Sequence, residues 1–372
     1  GCEVSYDPGT ILWGGRYIVV CISFVHHPLR CMSASSTLST PVTGTERLHN
    51  FSAGPGTLPT SVLQEVRNEL PVYQTTGASI MEISHRSAAY DAVEEGAREH
   101  LRRLLGLDDD WHILFLQGGA SMQFHQVPLN FLPDDGVADY VLTGRWSVKA
   151  LREAKLLGTA REAASAADTN FTTIPDRDTW NLSPEASYVH ITSNNTVHGT
   201  QFSGDPQADV PIVTDASSEI LSRPMDLDPY GLIYAGAQKN MGPAGVTLVL
   251  VHDAFLAQRN DDLPTMLDYG THAERRFNTP PVFPIYVVEK VLRWLLDQGG
   301  VEAMQTLNEQ KASMLYERVD RTDFYEGIVA PKARSTMNAV FRLHDEDLQP
   351  LFLQNAAKAL VAFMDEFERT HG

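Results

Sequence analysis

Apolar runs of four to six residues, bounded by Gly, Pro and Asp, recur along the chain and predict buried strands. Trp111–Leu116 (WHILFL), residues 138–142, 188–192 (YVHIT), the run ending at Asp215, 232–235 and 246–251 are of this kind. Between and beyond them, helical periodicity predicts helices over residues 59–70, 90–105 and 149–156, and two amphipathic helices over 282–298 and 301–319. Pro280 and Pro281 forbid helix just before the longer pair and mark a stiff, extended segment. Residues 334–343 alternate as a strand of a small C-terminal domain, followed by helical sequence over 351–364. The pattern predicts an α/β protein in two parts, a large domain over 47–262 and interdomain helices with a small domain over 263–372.

Two of the predicted strands end in residues with paired chemistry. Asp215 closes one run, and the run over 232–235 leads through Ala-Gly-Ala-Gln to Lys239. A lysine at the edge of a buried sheet is desolvated, which lowers its pKa and frees the amine to condense with an aldehyde. An aspartate nearby can keep a pyridinium nitrogen protonated, and a protonated ring is the electron sink of pyridoxal phosphate (PLP) chemistry. An isolated lysine is more often a surface residue. Lys239, however, is flanked by the small residues of AGAQ and NMGP, which let a ligand approach the backbone, whereas the other six lysines sit mostly in polar or amphipathic stretches.

Other segments fit a cofactor site of this kind. Gln117, Gly118, Gly119, Ala120 and Ser121 follow the strand Trp111–Leu116 directly, and a strand, a Gly turn and a helix place free N–H groups at a positive helix end, where a phosphate binds. His85 and Arg86 precede a helix, where the planar arginine fork suits a carboxylate or phosphate, although a solvated loop pair would read the same.

The stretches DASSEILSRPMDL and YAGAQKNMGPAGVTLVLV, with NFSAGP at 50–55 and SHRS at 84–87, resemble the phosphoserine aminotransferases, class V members of the fold-type I PLP aminotransferases. The resemblance runs from residue 49 to the C-terminus. It implies a large, mostly parallel sheet flanked by helices plus a small C-terminal α/β domain, and amino transfer between O-phospho-L-serine and 2-oxoglutarate, giving 3-phosphooxypyruvate and L-glutamate in serine biosynthesis. It also implies roles. Lys239 carries the cofactor and shuttles the proton, Asp215 holds the ring nitrogen, Trp146 stacks on the ring and Thr196 bonds the phenolic oxygen. Gln238 with Gly119, Ala120 and Ser121 holds the phosphate, and His85 and Arg86 take the substrate anion. Asn278 and Thr279 reach across a homodimer to the partner's cofactor phosphate. His198 matches a family position without a role assigned to it. A second branch, into pyridoxine biosynthesis, also belongs to the family's repertoire. An alanine–glyoxylate type of class V enzyme is the nearest rival, and the SHRS and YAGAQKNMGPAG motifs argue against it.

The chain departs from the family twice. Between Ala357 and Ala359 the family carries GHR and GG-x-RAS elements with substrate-binding His and Arg, and roughly thirty residues are absent here, about a β-hairpin with its flanks. Their loss predicts an open edge on the strand of residues 334–343. It also raises a reading as a PLP-binding or scaffold protein with impaired catalysis. The second departure is residues 1–46, expected to be an extension that is disordered or not native to the enzyme, with Met32 as a possible start. The run over 17–25 (YIVVCISFV) is too short to span a bilayer.

Composition adds less. The chain has 372 residues and a formal net charge of −18, so its surface repels nucleic acid and anionic membrane on average, and an anionic substrate must be drawn in by local arginine and histidine. The same acidity would suit a high-salt habitat. All three cysteines, Cys2, Cys21 and Cys31, precede Met32; with no disulfide framework beyond, the sequence is compatible with a reducing cytoplasm.

Overall fold

The structure, a computed structural model, describes residues 11–13, 17–21, 47 and 50–355. Its strands are β1 (Ile11–Trp13), β2 (Tyr17–Cys21), β3 (Trp111–Leu116), β4 (Val137–Leu142), β5 (Thr159–Ser165), β6 (Ala186–Thr192), β7 (Asn194–Asn195), β8 (Thr200–Gln201), β9 (Ile212–Asp215), β10 (Tyr230–Gly236), β11 (Thr247–His252), β12 (Tyr325–Gly327) and β13 (Asn338–Leu343). The helices are α1 (Thr60–Glu69), α2 (Ala88–Leu105), α3 (Gly119–Phe131), α4 (Arg145–Ala154), α5 (Asp253–Leu256), α6 (Tyr269–Glu274), α7 (Val282–Asp297), α8 (Gly300–Asp320) and α9 (Gln349–Asn355). None is long and apolar enough to cross a membrane.

Seven strands form the large sheet, in the order β3-β11-β10-β9-β6-β4-β5. Every neighbouring pair is parallel except those made by β11, which runs against both β3 and β10. Both faces are covered. Ile233 and Ala235 of β10 join Val93 and Leu101 of α2 and Val288 and Leu292 of α7, whereas Leu232 and Tyr234 join Phe124 and Val127 of α3 and Leu151 of α4. A strand buried on both sides has no polar side to alternate with, which is why these runs are continuously apolar. Each fully buried Leu, Ile or Val contributes about 1.5–3 kcal/mol. β5 (TAREAAS) escaped the pattern because it lies at an edge, is only partly buried and is rich in alanine, a weak strand former.

Parallel strands bring their C-terminal ends to one edge of the sheet. There the chain leaves β3 for Gly118, β4 for Gly144, β6 for Thr196, β9 at Asp215 and β10 for Lys239. Side chains converge at such an edge because each βα connection turns there.

The second sheet is antiparallel, in the order β1-β2-β13-β12. It docks against the β7–β8 hairpin: Asn194 Nδ2 donates to Asn338 Oδ1 (2.8 Å), and Ser335 N to Gly199 O (2.9 Å). Two expectations change here. The 334–343 segment, expected to expose an edge, is strand only from Asn338 and is paired on both sides, with β12 and with β2. And Tyr17–Cys21, expected to lie in an extension without a place in the fold, is the strand that occupies that edge. The position of the missing family segment, between Ala357 and Ala359, lies outside the described residues.

Candidate active site

Lys239 lies three residues beyond β10, in a turn closed by Met241 N to Ala237 O (3.1 Å) and Gly242 N to Ala237 O (2.9 Å). Its amine donates to Thr196 Oγ1, and Nζ stands 5.5 Å from the centre of the Trp146 ring. The loop of residues 51–56 covers it. Gly56 N donates to Gln238 O (2.7 Å), and a Cβ added at Gly56 would fall 2.3 Å from Lys239 O, so only glycine permits this approach. At Gly54 an added Cβ would touch Lys239 Cγ at 3.3 Å. Burial holds the Lys239 amine below the usual lysine range, and the charges of Asp215 and then Cys21 offset part of that shift. The outcome is an amine that gives up its proton more readily than an exposed lysine.

Asp215 ends β9, opposite Tyr234 of β10, and is 5% exposed. Burial raises its carboxyl above the usual value, and Lys239 and Ser217 oppose the rise. Ser217 is a residue the sequence reading passed over: its N–H donates to Asp215 Oδ1 (3.0 Å) while its hydroxyl accepts from Gly236 N (3.0 Å), locking the ends of β9 and β10 together. The Asp-x-Ser spacing, an Asx-turn signature, was the available signal. Asn195 was also passed over; its Nδ2 donates to Thr143 Oγ1 (2.5 Å) and fixes the loop that carries Thr196.

Trp146 belongs to the first turn of α4, and Ser147 Oγ accepts from Thr143 N (3.0 Å) and Gly144 N (3.1 Å) to pin that turn. Gly118 and Gly119 enter α3 with φ of 97° and 69°, conformations that favour glycine. Asn278 Nδ2 donates to Gln117 Oε1 of the same chain (2.8 Å), one residue before that turn, and Thr279 is exposed. His198 packs against Phe171, with ring centres 5.1 Å apart, and burial followed by Arg145 lowers its pKa.

The structure thus gathers Lys239, Thr196, Trp146 and Asp215 into one cluster, with Gln238 next to Lys239 and with Gly119, Ala120 and Ser121 in the first turn of α3, at the same edge of the sheet. His85 and Arg86 lie just before α2, where Arg276 Nη1 donates to His85 O (2.5 Å) while pairing with Asp91 and Glu94, and Arg86 is exposed.

The residues present fit PLP. No side chain caps α3, so its first N–H groups are available to a phosphate, and a Cβ at Gly119 would meet only open space. Among the described residues Trp146 Nε1 is buried without a hydrogen-bond partner. The Asp215 carboxylate, short of solvation in its buried place, suits a cationic ring nitrogen that would balance its charge, and an amine that gives up its proton readily suits an aldehyde carbon.

Comparison with known proteins agrees. Residues 48–362 match the class-V aminotransferase family. The chain is 47% identical over 361 aligned residues to the curated phosphoserine aminotransferase of Desulfosudis oleivorans, taking in 88% of this chain and 99% of that one. Because 88% of 372 residues is about 327, about 34 of those 361 positions have no residue here. Its fold superimposes on the solved phosphoserine aminotransferase from Bacillus circulans subsp. alkalophilus with a TM-score of 0.85 at 43% identity, over 88% of this chain and 99% of that one. For the PLP-bound phosphoserine aminotransferase of Trichomonas vaginalis the TM-score is 0.80 at 34% identity, over 87% and 100%. The chain belongs to the class-V aminotransferases and, among them, to the phosphoserine aminotransferases.

Proposed function

We propose that this chain transfers an amino group between O-phospho-L-serine and 2-oxoglutarate, with PLP held at Lys239. The observation that carries the reading is the half-buried Lys239, its amine bonded to Thr196, facing the Trp146 ring and within electrostatic reach of Asp215. When bound, PLP supplies an electron-withdrawing ring.

The chain's own residues do the rest. Lys239, whose burial eases the loss of its proton, would hold the cofactor at its aldehyde carbon and, when free, would carry the proton from the substrate's Cα to that same carbon. Asp215 would hold the ring nitrogen protonated, and Trp146 would limit the tilt of the ring. Thr196 would donate toward the phenolic oxygen. The first turn of α3 with Gln238 binds the phosphate, and the loop of residues 51–56 excludes water from Lys239. His85 and Arg86 remain our candidates for the substrate anion, and Asn278 and Thr279 for contact with a partner's cofactor phosphate in a homodimer. Exposed Phe277 and Thr279, on a stiff segment ahead of Pro280, support an interface there. The reading extends to cytoplasmic serine biosynthesis, with a phosphorylated hydroxy-threonine on the pyridoxine route as a further substrate.

The test is the visible spectrum of the purified protein with PLP, before and after phosphoserine. A cofactor band that phosphoserine abolishes and alanine does not is the expected result, and Lys239→Ala removes the band. A band indifferent to phosphoserine would instead leave a cofactor-binding protein without turnover, the reading favoured by the segment missing after Ala357. A response to alanine in place of phosphoserine would favour the alanine–glyoxylate type.

A further inference from the structure

We infer that Tyr17–Cys21 is an integral strand of the small domain and that its inward face positions the loop of residues 51–56 over Lys239. The strand is enclosed on every side. Along one edge Leu12 of β1 pairs with Ile18, and along the other Val340 and Asn338 of β13 pair with Val19 and Cys21. One face, Ile18 and Val20, packs with Leu315 and Val319 of α8 and with Phe341. The other, Val19 and Cys21, packs with Ala53, Val329 and Val340. The four residues are 0–6% exposed, a burial that an appended, unrelated segment would not reach. A chain beginning at Met32 would lack this strand, leaving open one edge of β13 and the apolar side chains of Val340 and Phe341.

The path from the strand to Lys239 is short. Cys21 N donates to Phe51 O (3.0 Å), which anchors the start of the loop to the end of the strand. Ala53, seated on Val19 and Cys21, is followed by Gly54, whose Cα lies within one carbon's reach of the Lys239 side chain. Gly56 then bonds Gln238, the residue before Lys239. Strand face, loop and lysine are one packed series, so Val19 and Cys21 are positioning residues. A sheet completed from the N-terminal side in this way also explains how a small domain short of the family's hairpin still encloses β13.

The existence of the strand is independent of the amino-transfer reading; its consequence for catalysis rests on that reading. The experiment uses the full chain, with hydrogen exchange read by mass spectrometry and the pH dependence of Lys239 acylation in the cofactor-free protein. We expect the amides of Val19 and Cys21 to be protected to within about tenfold of that of Val340. Val19→Asp, or the milder Val19→Ala if the first does not fold, raises exchange over residues 51–56 about tenfold and moves the acylation midpoint of Lys239 up toward that of an exposed lysine. Cys21→Val, which keeps the apolar contact, leaves exchange over residues 51–56 unchanged and does not move the midpoint up; losing the sulfur's charge can only lower it. The inference is overturned if Tyr17–Cys21 exchanges like an unfolded chain, or if a folded Val19 variant leaves both the loop and the Lys239 midpoint unchanged. A protected strand in a chain that never transfers an amino group from phosphoserine would sink the functional reading and leave this one standing.

Discussion

The Lys239 amine and the Thr196 hydroxyl are hydrogen-bonded although 43 residues separate them, so the turn after β10 and the loop after β6 meet through one half-buried proton donor. A donor shielded from bulk water that loses its acceptor costs part of the desolvation of that group. Thr196→Val should lower kcat/KM for phosphoserine by about 10–100-fold, equivalent to about 1.4–2.8 kcal/mol, while leaving the far-ultraviolet spectrum unchanged. Steady-state kinetics on the purified variant checks it, and an unaltered kcat/KM would remove Thr196 from the site.

Asp215 acts on Lys239 through charge. It raises the lysine's pKa against the larger effect of burial, so removing the charge takes away the larger of the two effects that oppose burial. In the cofactor-free Asp215→Asn protein the acylation midpoint of Lys239 should therefore move down, the opposite direction to the Val19 variants. Amino transfer should fall at least about 100-fold, since the ring nitrogen loses its anionic partner.

Gly56 is required by approach distance. A methyl group there would sit 2.3 Å from the Lys239 carbonyl, well inside contact, and the loop must retreat to admit it. Gly56→Ala should weaken PLP retention about tenfold and destabilise the protein by about 1–3 kcal/mol. Equilibrium dialysis and thermal melts, each with and without PLP, measure the two effects separately.

Arg223 offers a test of the fold away from the cofactor. It bonds Asp205 twice (2.8 and 2.9 Å) and Glu219 once (2.6 Å), and Glu219 is fully buried. Burial alone would raise the Asp205 carboxyl, but hydrogen bonds and charge from Arg223 outweigh it and hold that carboxyl below its ordinary value. A depressed carboxylate contributes stability that is present above about pH 4 and lost as pH falls through the folded value. Arg223→Met strands two buried carboxylates, costs about 3–5 kcal/mol at neutral pH and moves acid unfolding to higher pH, since burial then raises Asp205. Melting curves between about pH 3 and 7 would show it.

Much of the site was legible in the sequence because its chemistry sits at the ends of continuously apolar strands. Asp215 and Lys239 could be placed from their runs alone, and β3, with the Gly turn after it, appears where WHILFL predicts it. Ser217 and Asn195 were less visible, since they bond backbone and loop groups that only folding brings near.

The sequence by itself determined the family, the cofactor and the strand ends that carry Lys239 and Asp215, because each is written in a local run or motif. Tertiary structure decided where Tyr17–Cys21 goes and what the strand of residues 334–343 pairs with. A five-residue apolar run records that it will be buried but not against what, and strand partners are chosen by contacts hundreds of residues apart, here Val19 with Val340.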